Sequence, residues 1–215
     1  MDLIFFGMQG AGKGTLGKSA AERYGMRIFE TGGALRALAQ EDSELGRKVK
    51  SIIEAGHLVP NEVVMEIVED FMNKLPKNTA VLFDGIPRKV EQAESLNELL
   101  KKHNRTYRAI LIDIKKETAF KRLATRRVCK SCKNVYPTTY TNSLCECGGE
   151  LVTRADDNPE AIKTRLEAFE KETIPAINIY KDNLIRIDGE PTIKEVEILA
   201  FKALDGIIPP HADSN

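Results

Sequence analysis

The chain has 215 residues, with 32 Lys and Arg balanced by 32 Asp and Glu. A neutral chain has no global positive field to draw in nucleic acid or an anionic membrane, so any basic surface must be local. No apolar run approaches the roughly 18 residues of a membrane span. Met1 and Asp2 lead straight into an apolar run without a basic leader, so a soluble cytoplasmic protein with one main domain and small insertions is expected.

In chain order, Leu3 to Phe6 is the first buried-strand pattern, followed by the glycine-rich "GMQGAGKGT" from Gly7 to Thr15 and a helical pattern from Leu16 to Tyr24. Arg27 to Phe29 is a weaker strand candidate. From Thr31 to Met72 the pattern is helical without a strand, punctuated by Gly46, Gly56 and Pro60, with a helix expected from Asn61 to Lys74. A strand pattern follows at Ala80 to Phe83, a helix at Val90 to His103 and a strand at Ala109 to Ile114. Residues Val128 to Asp157 hold all four cysteines, Pro137 and paired glycines, and read as a small loop domain held by metal. A helix is expected from Ala161 to Tyr180 and a last strand from Leu184 to Ile187, and the tail after Leu204, ending "PPHADSN", is expected to fray. The strand patterns lack polar alternation, as strands covered on both faces do. Separated by helices, they predict an α/β fold with a parallel sheet and right-handed crossovers.

Strand, glycine-rich loop and helix start form the context that gives a phosphate loop its meaning. Backbone N–H groups can wrap a pyrophosphate, the helix N-terminus adds partial positive charge, and Lys13 adds a mobile cation. Asp84 ends a predicted buried strand, which places a carboxylate beside that loop; a turn cap is its bland alternative. Arg88 follows Pro87 in a strand-to-helix connection and is suited to gripping phosphate oxygens in pairs. Arg122 and Arg126 lie four apart on one helical face before the cysteines, and Arg154 and Arg165 follow them. By position alone each of these arginines reads as a surface charge; their match to the family pattern that follows is what implies a focused cationic site in a neutral chain. No Ser/His/Asp or Cys/His constellation is visible, and His57, His103 and His211 read as incidental.

The hydroxyl that usually follows the loop lysine is displaced here: Gly14 intervenes before Thr15. With "TGGALR", "GHLVPNE" and "LFDGIPRKVEQA", this "GKGT" form resembles the adenylate kinases over about residues 1 to 204. The resemblance implies a phosphate-loop NTPase type of five-stranded parallel sheet and reversible phosphoryl transfer between Mg·ATP and AMP, giving two ADP. It assigns ATP to Gly10, Ala11, Gly12, Lys13, Gly14, Thr15, Arg122 and Arg126. It assigns AMP to Thr31, Arg36, Leu58, Val59, Gly85, Arg88, Gln92, Arg154 and Arg165. Asp84 is placed near the waters of Mg²⁺, and Lys13, Asp84, Arg88, Arg126, Arg154 and Arg165 form the catalytic set. The implied division is core at 1–30, 73–127 and 159–215, an AMP-binding insertion at 31–72 and a lid at 128–158. A monomer without nucleic-acid or membrane partners is expected. The competing readings are a kinase for UMP, CMP or GMP and a nucleotide-dependent nucleic-acid-binding module; Gln92 and the lid favour AMP, and neutral charge argues against the module.

Several positions depart from the family pattern: Gln9 stands for Pro, Leu16 for Gln, Gly33 for Asp, Asn61 for Asp and Ile86 for Phe. Loss of a carboxylate at 33 is expected to weaken the water network around magnesium, and loss of proline at 9 to loosen the loop. The cysteines Cys129, Cys132, Cys145 and Cys147 match the family's lid knuckles, although Cys145 and Cys147 are separated by only one residue. A structural Zn²⁺ on four thiolates is the expectation; a reduced metal-free lid and a disulfide are the alternatives. Glu146 is the nearest acidic substitute ligand, but its side chain alternates away from those of its neighbours.

Overall fold

The structure is a computed structural model that describes residues 1–137 and 139–209. The end of the expected frayed tail, 210–215 with His211, lies outside the described residues.

Leu3, Ile4, Phe5 and Phe6 are each at most 2% exposed, as a strand covered on both faces requires. This first strand, β1 (Asp2–Phe6), lies at the centre of a five-stranded sheet with β2 (Arg27–Glu30), β3 (Val81–Asp84), β4 (Tyr107–Asp113) and β8 (Leu184–Asp188), in the order β2-β3-β1-β4-β8. Every neighbouring pair is parallel. The chain leaves β1 toward one edge and later crosses to the other side through β4. The strand ends of β1 and β3 therefore border the crevice where parallel sheets bind ligands.

Alternate residues serve two cores. Ile4 and Phe6 pack with Phe83 and Leu111 on one face. That face is closed by α4 (Asn61–Asn73), α5 (Val90–Lys102) and α8 (Ile174–Asn178). Leu3, Phe5, Leu82 and Ile112 form the other core, closed by α1 (Lys13–Tyr24), α6 (Lys116–Thr125), α7 (Pro159–Ala168) and α9 (Ile193–Leu204). Asp2 is 1% exposed beneath this sheet. Its carboxylate accepts from the Val81 amide at 2.8 Å and from Arg105 Nη2 at 2.6 Å. A buried charge is tolerable because each oxygen is paired, Oδ1 by those two groups and Oδ2 by Arg105 Nε at 2.5 Å.

Between β2 and β3 lie α2 (Thr31–Leu38), α3 (Glu44–Glu54) and α4. Gly56, just beyond α3, takes φ +81° and approaches α7 so closely that a β-carbon would stand 2.5 Å from the Ala161 carbonyl. A glycine is therefore what lets this layer close over α7.

Three local expectations are corrected. The segment from Ala161 to Tyr180 is not one regular α-helix, because Phe169–Thr173 widens into a π-helical turn before α8. Pro175, in the first turn of α8, has no N–H for the ordinary ladder, and the wider turn accommodates this. The cysteine segment is more than loop: β5 (Arg127–Cys129), β6 (Val135–Tyr136) and β7 (Leu151–Val152) form a small antiparallel sheet in the order β6-β5-β7. The start of the tail is packed. Ile208 is 7% exposed, and Asp205 accepts a 2.7 Å hydrogen bond from the Tyr24 hydroxyl.

Candidate active site

The phosphate loop joins β1 to α1. Gly12 caps α1 with φ 94° and, having no side chain, leaves the first-turn N–H groups without a cap bond of its own. Lys13 Nζ lies inside the loop, donating to the carbonyls of Gly7 at 2.6 Å and Met8 at 3.0 Å. Burial lowers its pKa to about 8, with the Asp84 charge acting in the opposite direction. A β-carbon at 14 would stand 3.7 Å from Asp84 Oδ2, so that carboxylate sits against the corner of the loop. Asp84 is 7% exposed, and burial raises its pKa, with Lys13 opposing. A desolvated carboxylate of this kind favours a cation nearby.

Beside this loop, one cavity is lined by Thr31 and Arg36 of α2, by Leu58 and Val59, by Gly85, Arg88 and Gln92, and by Arg154 and Arg165. These are the residues that the sequence assigned to AMP, and folding brings all of them together. Arg88 Nε is held by the Gly85 carbonyl at 2.9 Å. Gln92 Oε1 accepts from the Arg88 amide at 2.9 Å, which leaves its NH₂ group to donate to a ligand. The Thr31 hydroxyl is buried without a hydrogen-bond partner among the described residues. Burial lowers the pKa of Arg88, and lowers that of Arg165 to about 10. Compressing guanidinium groups in this way is costly unless an anion offsets them.

Arg126 and Arg154 flank the cysteine segment and are steered by two consecutive acids. Arg126 forks onto Asp157 at 2.5 and 2.7 Å, and Arg154 onto Asp156 at 2.9 and 2.5 Å. Arg165 Nη1 reaches the Asp156 carbonyl at 2.8 Å and Asp157 Oδ1 at 3.1 Å. Burial would raise the pKa of Asp156, but the hydrogen bonds and charge of Arg154 outweigh it and hold the pKa below its ordinary value. Arg122 points elsewhere, donating to the carbonyls of Gly189 at 3.0 Å and Glu190 at 3.2 Å, with a longer 3.4 Å contact to Gly10. It ties the phosphate loop to the turn after β8 instead of joining the cationic cluster.

This arrangement agrees with what comparison with known proteins finds. The sequence profile described as "Adenylate kinase" matches residues 5–185. The chain belongs to the adenylate kinase family. It is similar to the adenylate kinase of Kosmotoga olearia, 40% identical over 215 residues, covering 96% of this chain and all of that protein (100%). It is also 40% identical over 204 residues to the adenylate kinase of Bacillus pumilus, covering 91% of this chain and 94% of that one. The adenylate kinase of Archaeoglobus fulgidus is 37% identical over 214 residues, covering 94% and 99%.

Within this adenylate kinase framework, sequence reasoning missed the acids. Asp156 and Asp157 were visible in "RADDNP" between Arg154 and Arg165, and a search for carboxylates beside the chosen arginines would have found them. Glu30 was also missed, and it alters the expectation about Gly33. A β-carbon at 33 would stand 2.9 Å from Glu30 Oε2, so the corner expected to lack a carboxylate has one, supplied from β2. Thr173 was overlooked as well; its hydroxyl donates to the Arg88 carbonyl at 3.0 Å. Gln9 Oε1 is buried without a hydrogen-bond partner among the described residues.

The four cysteine sulfurs lie within 4.8 Å of one another. Cys129 and Cys147 are separated by 3.6 Å and Cys132 and Cys145 by 3.4 Å. Zinc–thiolate bonds of about 2.3 Å in a tetrahedron require sulfurs about 3.8 Å apart, so the cluster fits that ion. The amide of Cys132 donates to Cys129 Sγ and that of Cys147 to Cys145 Sγ, at 3.4 and 3.5 Å. Gly149 is required at its place, since a β-carbon there would lie 2.6 Å from Cys129 Sγ.

Proposed function

We propose that this chain works as it is built, as an adenylate kinase that transfers the terminal phosphoryl group of Mg·ATP to AMP and gives two ADP, reversibly. The observation that carries the reading is the convergence of Arg36, Arg88, Arg154 and Arg165 on one cavity, with Lys13 feeling the charges of Asp84, Arg88, Arg165 and Arg126. Phosphoryl transfer spreads negative charge over equatorial oxygens as the two nucleotides approach in line, so positioning and fixed cations supply most of the catalysis.

In this reading Gly10, Ala11, Gly12, Gly14 and Thr15 hold the ATP phosphates, and Lys13 exchanges its loop carbonyls for phosphate oxygens. Arg36 and Arg88 grip the AMP phosphate, Gln92 meets the base, and Leu58 and Val59 offer it backbone. Arg126, Arg154 and Arg165 surround the transferring group from the lid side. Arg122 supports ATP indirectly by fixing the loop against the turn at Gly189. Magnesium enters with ATP and neutralises its phosphate oxygens; the desolvated Asp84 carboxylate is the protein group suited to the ion's waters.

The helical segment 31–72 and the cysteine segment 128–158 are the parts proposed to move over the core at 1–30, 73–127 and 159–215, excluding water that would hydrolyse ATP. A zinc ion on Cys129, Cys132, Cys145 and Cys147 would contribute folding energy to the lid and no chemistry. A cytoplasmic monomer that does not bind nucleic acid fits the neutral charge. No helix among the described residues is long and apolar enough to cross a membrane. Initial rates with AMP, UMP, CMP and GMP test the reading: AMP is expected to be the preferred acceptor, and a preference for UMP or CMP would contradict it.

A further inference from the structure

Glu30 ends β2 and pairs in register with Asp84 at the end of β3. In-register neighbours on parallel strands project to the same face, so the two carboxylates leave the sheet together at the crevice. Glu30 Oε1 accepts from Arg36 Nη2 at 2.9 Å, across the first turn of α2. Two consecutive glycines stand beneath this pair. A β-carbon at Gly32 would lie 2.9 Å from Arg36 Nη1, and one at Gly33 would lie 2.9 Å from Glu30 Oε2. Neither glycine has a positive φ, so the backbone does not need them, and glycine is among the weakest helix formers. The ion pair occupies the space beside both, and a side chain at either position would force the end of Arg36 or Glu30 to shift.

We infer that Glu30 is a positioning residue of the acceptor cavity: its carboxylate, admitted by Gly32 and Gly33, sets the guanidinium of Arg36 so that its remaining N–H groups meet the phosphate of AMP. This rests on the reading of that cavity as the AMP site. Arg36 lines the cavity and Glu30 is not among its lining residues, so Glu30 acts through Arg36 and touches no reacting atom. An arginine held by one fork loses less side-chain freedom when the other fork takes up an oxyanion. The rival role for the carboxylate, steadying a water of the nucleotide-bound magnesium, would appear in the metal or ATP dependence instead.

The test compares Glu30→Gln, Gly33→Ala, their double variant and Arg36→Ala, measuring AMP binding by calorimetry, KM for AMP and for Mg·ATP, kcat and thermal melting. Glu30→Gln is expected to weaken AMP binding roughly twofold to fivefold, with kcat and KM for Mg·ATP within about twofold. Gly33→Ala leaves the glutamate in the chain but puts a methyl group 2.9 Å from Oε2, too close for the carboxylate to stay where it is. It is expected to weaken AMP binding by a similar factor while raising the melting temperature, because alanine favours the helix. The double variant should bind AMP no more weakly than Glu30→Gln alone, since both changes act through one contact. If Arg36→Ala leaves AMP binding unchanged, the cavity reading fails and takes the inference with it. If Arg36→Ala weakens AMP binding but Glu30→Gln does not, the positioning role alone is overturned. Additive losses in the double variant, or an effect confined to Mg²⁺ or ATP dependence, would also overturn it.

Discussion

Arg126 donates a forked pair of hydrogen bonds to Asp157, at 2.5 and 2.7 Å, joining the residue before β5 to the turn that follows β7. Because Arg165 Nη1 reaches the same carboxylate at 3.1 Å, one acid sets two of the guanidinium groups proposed to meet the transferring phosphoryl group. Asp157→Asn keeps the shape but removes the charge that steers both. Turnover is expected to fall roughly tenfold to hundredfold, with a much smaller change in AMP affinity. Steady-state kinetics of the folded variant check this.

If Lys13 meets the ATP phosphates as proposed, ATP binding should be coupled to a proton. With its pKa lowered to about 8 by burial, the amine is partly neutral in the free protein above that pH, whereas polyphosphate favours the ammonium. ATP binding above about pH 8 should therefore take up a proton, and affinity should fall as pH rises from there toward about 10. Below about pH 7 the group is charged in both states and contributes no pH dependence. Calorimetry in two buffers of different ionisation enthalpy measures the uptake, and Lys13→Met should abolish it.

Asp2 and Arg105 make a stability prediction away from the site. Arg105→Ala strips a 1% exposed carboxylate of its ionic partner and should cost about 3 kcal/mol. Chemical denaturation would detect the loss, and KM for both nucleotides should be unaltered because neither residue lines the cavity.

The cysteine cluster predicts one zinc ion per chain. Cys145→Ala should abolish zinc retention and lower the melting temperature, since its sulfur belongs to the four-cysteine group within 4.8 Å. Metal analysis after gel filtration, paired with thermal melts, checks both; full zinc retention in that variant would remove Cys145 from the ligand set.

The sheet and the phosphate loop were legible in the sequence because their signals are local. Four buried residues precede "GMQGAGKGT", and the helix follows directly. The cavity proposed for AMP was legible only through several separated motifs that the fold then brings together. The acids were not legible, because Asp156 and Asp157 earn their place through arginines on both sides of the lid, and nothing in linear spacing distinguishes them from turn residues. Glu30 escaped notice for a related reason. Attention to position 33 recorded a missing carboxylate, whereas space at the helix start is shared between side chains attached three residues apart. The strands β5 to β7 are two or three residues long, too short for a period-two pattern to stand out. The π-helical turn was signalled by Pro175, but how a helix absorbs a proline depends on what it packs against.

The most direct test of the account is a coupled assay of ADP formation from Mg·ATP with AMP, run alongside UMP, CMP and GMP. Robust turnover with AMP, forming two ADP per AMP consumed and depressed strongly in Lys13→Ala and Arg88→Ala, is the predicted result. Rates in both variants unchanged from the unmodified protein, or faster turnover with a pyrimidine monophosphate, would contradict it.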